Sequence, residues 1–197
     1  MLASISPVGE ASRHQRWSIT VSAYLLASAV GGVLIGGLLG GLGSLLGVAA
    51  LPADWLLAVI ALASVLGAAI DAGWTKVQLP SWRRQVDERW LTTYRGWVYG
   101  AGYGLQLGIA VVTIVTSAVT YAALLAALLV GSVQAGAAIG ATFGIVRALP
   151  LLLTAPVRSP QRLQRLHVGL ATAARPVAQV TVAAQLGAAA LAVKLGV

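Results

Sequence analysis

Long apolar runs separated by short polar stretches dominate the chain. The first run, residues 17–50, greatly exceeds the roughly 20 residues that a straight helix needs to cross the hydrocarbon. It predicts a strongly tilted helix, a helix broken near Gly40, Gly41 and Gly43, or a helix followed by a re-entrant piece. Pro52 and Asp54 mark a turn. Residues 55–73 then read as an ordinary span, with Trp55 and Trp74 as interfacial anchors. A third run, 96–130, is again overlong. Gly131 and Ser132 make the next turn, 135–153 is a fourth span carrying Arg147 and Pro150, and 177–193 is the last. These five segments predict an all-α, polytopic transmembrane helical bundle forming a single domain over 17–197.

The polar stretches complete the outline. Residues 1–16 read as a loose cytoplasmic tail. The apolar stretch after them is too long for the core of a secretory signal peptide, so it reads as a retained anchor. Residues 75–95 hold Trp82 and Trp90 eight positions apart among several arginines, which predicts a short amphipathic helix at the headgroups. A second basic loop, 156–176, is bounded by Pro156, Pro160 and Pro176.

Composition turns this pattern into a statement about solvent. Hydrophobic residues make up 58% of the 197 and charged residues only 9%, against about 25% charged in soluble domains. A soluble protein of this size could not hide so much apolar surface. The net charge of +8 lies in the tail and in the two basic stretches, whereas the turns near 52 and 132 hold no Lys or Arg. By the positive-inside rule the basic set is cytoplasmic, which puts the N-terminus inside a cytoplasmic (inner) membrane and the C-terminus outside. The basic residues are expected to meet anionic lipid headgroups. No basic module is long enough to cover a nucleic-acid duplex.

The strongest spacing signal is in small residues. Gly96, Gly100, Gly104 and Gly108 recur every fourth position, as do Gly32, Gly36 and Gly40, and Gly136, Gly140 and Gly144. Such faces let helix backbones approach closely inside lipid. They predict intramolecular helix packing, with a sliding surface or an oligomer interface as the alternative. Thr113, Thr116, Ser117 and Thr120 have the i, i+3, i+4, i+7 spacing of one helical face, with Gln106 one to two turns earlier. They predict either structural hydroxyls bonded to their own helix or the lining of a polar path. Gln106 needs partners if it is buried in lipid. Arg147 is a cation embedded in an apolar run, either snorkelling, ion-paired or contacting an anionic group. Asp71 is its nearest acidic candidate partner.

Other chemistries lack their signatures. The chain has no cysteine, so it carries no thiolate ligand or thiol couple of its own. Its two histidines, His14 and His167, do not suggest a metal site. No zinc motif, nucleophile elbow, phosphate loop or paired intramembrane carboxylates occur, and no cofactor is expected.

Residues 94–153 carry a resemblance. The stretch YRGWVYGAGYGLQLG, a threonine-bearing segment, and AALLVGSVQAGAAIGATFGIVRALPLLL are similar to the second half of the CcdA/DsbD family of membrane electron transporters. The resemblance covers about a third of the chain and lies in small-residue patterns. It implies two long, bent helices in related repeats around a cysteine pair. Here "GIAVVTIVTS" stands where the second-half cysteine motif would be, and five spans replace six. What the resemblance leaves is a redox-inactive scaffold. Two expectations follow. One is a non-enzymatic, transporter-like membrane protein. The other is a structural or assembly subunit with a membrane-protein partner or a second copy of itself. Glycine ladders turned inward beside a polar cavity favour the first; outward ladders favour the second.

Overall fold

A computed structural model of the chain describes residues 5–77, 79–80, 89–110 and 115–196. Those residues form helices and connecting turns, with no strand among them. The helices are α1 (Pro7–Ser12), α2 (Trp17–Leu45), α3 (Ala53–Asp71), α4 (Trp90–Thr93), α5 (Gly96–Ile109), α6 (Val119–Leu129), α7 (Val133–Ala148) and α8 (Pro160–Gly196). Short 3-10 turns follow α2 and α7, at Val48–Ala50 and Leu149–Thr154. Among the described residues four helical stretches are long and apolar enough to cross a membrane: α2, α3, α7 with its 3-10 extension, and α8. The chain is a multi-pass helical membrane protein.

The first overlong run is one unbroken helix. α2 has 29 residues, roughly 43 Å at 1.5 Å per residue. Gly40, Gly41 and Gly43 lie inside it, because a backbone shut away from water must keep its own hydrogen bonds. Gly47, at φ +69°, ends the segment in a left-handed conformation that glycine adopts without strain.

α2 is the central element and packs along two neighbours. On one side Gly100, Gly104 and Gly108 of α5 face the backbone of Thr20, Tyr24 and Ser28. On the other, Gly136 and Gly140 of α7 face Gly36 and Gly32, and Gly144 faces Ser28. Further along, Gly40 meets Ser132 and Gly43 meets Leu128. Gly96 meets Thr20 and Glu10 side chains. The three ladders are therefore one glycine-lined core of α2, α5 and α7, turned inward. The Ser28 hydroxyl donates to the Gly144 carbonyl at 2.8 Å, adding a bond where α2 and α7 touch. α3 and α8 form a second pair, packed through Ala61, Ala189 and Ala192 with Leu57 and Ile60 beside them.

Several expectations change. Residues 5–16 are not a loose tail: Ile5, Ser6 and Glu10 are fully buried. The third run is broken, with α5 ending at Ile109 and α6 starting at Val119. The basic stretch before the last span is largely helical, since α8 begins at Pro160 and runs through Pro176. Pro160 opens the helix without cost because an N-terminal N–H has no intrahelical acceptor. Of the amphipathic helix expected at 75–95, only Trp90–Thr93 is helical among the described residues; Trp82 lies outside them.

Candidate functional site

The break between α5 and α6 lies opposite the middle of α2. Gly31, the central residue of that helix, would place a Cβ 3.1 Å from the backbone nitrogen of Ile109, at the end of α5. α6 then resumes along the second half of α2, where Leu128 reaches Gly43. Ala110 turns the chain out of α5 at φ +67° and ψ −49°, close to the rare γ-turn conformation, which is strained for alanine. It is fully buried, so surrounding packing holds the strained residue in place.

Breaking a helix creates two new ends, each with unsatisfied backbone groups and a partial charge. Each end meets a side chain of the complementary sign. At the C-terminal end of α5, an Arg147 Nη1–H from α7 donates to the Leu107 carbonyl at 3.2 Å. The same guanidinium lies over the Phe143 ring, 5.7 Å from its centroid. At the N-terminal end of α6, Asp71 is the cap. Its Oδ1 accepts the Ala118 N–H at 2.9 Å. Its Oδ2 accepts from the Ser117 hydroxyl at 2.7 Å and from the Gln185 amide of α8, also at 2.7 Å. Asp71 therefore ties α3, α6 and α8 together at the break.

Asp71 and Arg147 do not pair with each other, contrary to the sequence expectation. Depth along the sequence suggested proximity, but the carboxylate is claimed by the α6 end and the guanidinium bonds the α5 end. The threonine face also changes. Residues 115–118 are not helical, so no single helical stripe joins Thr116, Ser117 and Thr120. Thr116 lines a cavity at the break, Thr120 is buried in the first turn of α6, and Thr113 lies outside the described residues. Gln106 is half-buried on α5 and is not among the residues lining that cavity.

The cavity has a volume of about 610 Å³ and opens beside Asp71. Its polar wall is Asp71, Thr116, Ser117 and Thr181; apolar residues such as Val115 and Val177 supply much of the rest. Among the described residues no group of three His, Asp or Glu side chains could hold a metal ion.

Two polar residues here escaped the sequence reading. Gln185, only 6% exposed, sits within the apolar run of the last span, and the same argument that singled out Gln106 applies to it. Glu10 anchors a second buried cluster, at the start of α2. It accepts from the Thr20 hydroxyl at 2.6 Å and the Tyr99 hydroxyl at 2.5 Å, and forms an ion pair with Arg13 at 2.7 Å. An acidic residue in a polar N-terminal stretch gives no local sign of such burial.

Arg147→Met is expected to lower the stability of the purified protein by about 1.5–3 kcal/mol, the usual worth of a hydrogen bond to a charged group. Thermal unfolding in detergent checks this, and an unchanged midpoint would remove Arg147 from the break.

No family model matches the chain, and neither curated proteins nor solved structures yield a match. The resemblance of residues 94–153 to the CcdA/DsbD family thus rests on the quoted residues alone.

Proposed function

We propose that the chain is a non-enzymatic membrane transport protein that moves a small solute past the α5–α6 break, on a redox-inactive scaffold of CcdA/DsbD type. The observation that carries this reading is a helix interrupted opposite the middle of its neighbour, with both ends capped by charge and one cap exposed to a cavity. Discontinuous helices that meet part way through the bundle, lined by polar groups, are how secondary transporters build solute sites. The inward glycine ladders support the same reading, because smooth backbone contacts let helices shift without side chains unlocking. The membrane is the cytoplasmic one, with the N-terminus inside. Arg158, Arg162, Arg165 and Arg175, all exposed along the first part of α8 and just before it, then lie at anionic headgroups.

A second reading, an assembly subunit, is favoured by one surface. Gly37 and Gly41 lie on a shallow apolar groove beside exposed Leu34 and Leu38, away from the inner ladders.

The lack of cysteine makes accessibility measurements direct. Thr116→Cys is expected to react with a membrane-impermeant thiol reagent in both right-side-out and inside-out vesicles, whereas Leu38→Cys reacts in neither. Reaction of Cys at position 116 from one face only would defeat the transport reading and leave the subunit.

A further inference from the structure

We infer that the cavity beside Asp71 binds a small organic cation of the alkylammonium class, with the Asp71 carboxylate as its counter-ion. The inference deepens the transport reading by naming its substrate class, and it rests on that reading only for the passage of the ligand, not for its binding.

The sign of the ligand follows from charge. Every group bonded to Asp71 is neutral: a hydroxyl, a side-chain amide and a backbone N–H. The one salt bridge among the described residues joins Arg13 to Glu10 and is not here. The α6 N-terminus offsets about half an elementary charge, so the groups bonded to Asp71 leave about half of its negative charge unmatched at the cavity wall. In an apolar protein that residue of charge attracts a cation.

An anion would be the usual guest at a helix N-terminus, but the donors it needs are taken. The Ala118 N–H goes to Asp71, the Val119 N–H to the Ser117 hydroxyl oxygen, and the Thr120 N–H to the Ser117 carbonyl.

Two of the three hydroxyls along the wall point the same way. Ser117 has spent its hydrogen on Asp71, and Thr181 has spent its own on the Val177 carbonyl at 2.9 Å. Thr181 is left as an acceptor, and Ser117, which already accepts the Val119 N–H, keeps one acceptor position. A carboxylate has about four acceptor positions, and Asp71 has three donors, which leaves room for one more. The cavity thus offers acceptors to a ligand that brings N–H donors and positive charge. The apolar walls, Ile70, Val115 and Val177 among them, suit an alkyl body. The volume of about 610 Å³ lies within the range of small-molecule pockets, about 300–1,000 Å³.

The test is thermal unfolding of the full chain in detergent with butylammonium chloride. Sodium chloride at equal ionic strength, butanol and sodium butyrate are the comparisons. Butylammonium alone is expected to raise the midpoint, by roughly 3–5 °C at about ten times its Kd. Asp71→Asn, which keeps the acceptor for the Ala118 N–H, is expected to abolish the shift. If that variant does not fold, Thr181→Val is the second probe, expected to weaken butylammonium binding about tenfold. An equal shift with sodium, a shift with butyrate, or a full butylammonium shift in the Asp71 or Thr181 variant overturns the assignment. A cation shift together with one-sided labelling of position 116 keeps the site and removes the path. Two-sided labelling without a cation shift does the reverse.

Discussion

Gly32→Ala is expected to take the bundle apart. A Cβ at Gly32 would lie 1.9 Å from the Gly140 carbonyl oxygen, and one at Gly140 would lie 2.0 Å from the Gly32 carbonyl oxygen. Both obstacles are backbone, so no side chain can turn aside. Nor can the two helices part at one point, because Gly36 against Gly136 and Gly40 against Ser132 continue the same contact. Overpacking usually costs about 1–3 kcal/mol where side chains can relax. Here the cost should reach at least the top of that range. Inside lipid the loss counts twice, since close van der Waals contact is the main attraction between helices and a separation of even an ångström forfeits much of it. Gly187→Ala is the control. Nothing lies within 4 Å of a Cβ there, and because Ala is the better helix former its stability should equal the parent's or exceed it by up to about 1 kcal/mol. Melting in detergent, read beside the elution volume of the folded species, separates the two. Equal midpoints for both variants would mean that α2 and α7 are not in backbone contact.

That glycine core is legible in the sequence, because a four-residue period of small residues on three segments has few other uses in an apolar protein. The continuity of α2 was less readable. Gly40, Gly41 and Gly43 look like a breaking point in water, where exposed backbone finds solvent partners. In lipid Gly40 and Gly43 are close-approach residues against Ser132 and Leu128, and Gly41 borders the Val133 side chain. The break in the third run had a signal of another kind. Residues 111–116 are six consecutive β-branched side chains, Val, Val, Thr, Ile, Val and Thr, which lose side-chain freedom in a helix. The helical spacing of Thr113, Thr116, Ser117 and Thr120 competes with that signal. Pro176 misled in the opposite direction, since a proline reads as a boundary and here lies inside α8. The partners of Asp71 were not legible at all. Ser117 and Gln185 lie 46 and 114 positions away in sequence, and only the packing of α3 between α6 and α8 brings them together.

Glu10→Ala should be as damaging as the glycine change, by a different route. The side chain is fully buried, and three donors converge on it from three parts of the chain: Arg13 just after α1, Thr20 of α2 and Tyr99 of α5. Nearby, the Gly96 N–H donates to Gln15 Oε1 at 3.0 Å, and the Thr154 hydroxyl reaches the Ile5 carbonyl at 3.5 Å. Residues 5–20 are thereby fastened across the ends of α2, α5 and the 3-10 turn that follows α7. Truncating the carboxylate removes the anionic acceptor shared by the Arg13 guanidinium and the Thr20 and Tyr99 hydroxyls. Breaking a buried ion pair from one side costs about 3–5 kcal/mol, because the surviving charge stays desolvated. Tyr99→Phe removes one donor and leaves the ion pair, so it should cost only about 1–2 kcal/mol. The ordering distinguishes a carboxylate that organises the cluster from one that merely fills space. Limited proteolysis supplies a local readout, with cleavage between residues 5 and 16 appearing in Glu10→Ala and not in Tyr99→Phe. If Glu10→Ala melts within about 1 kcal/mol of the parent and its N-terminal segment stays protected, apolar contacts of Ile5 alone hold that segment down, and the buried carboxylate has no organising role.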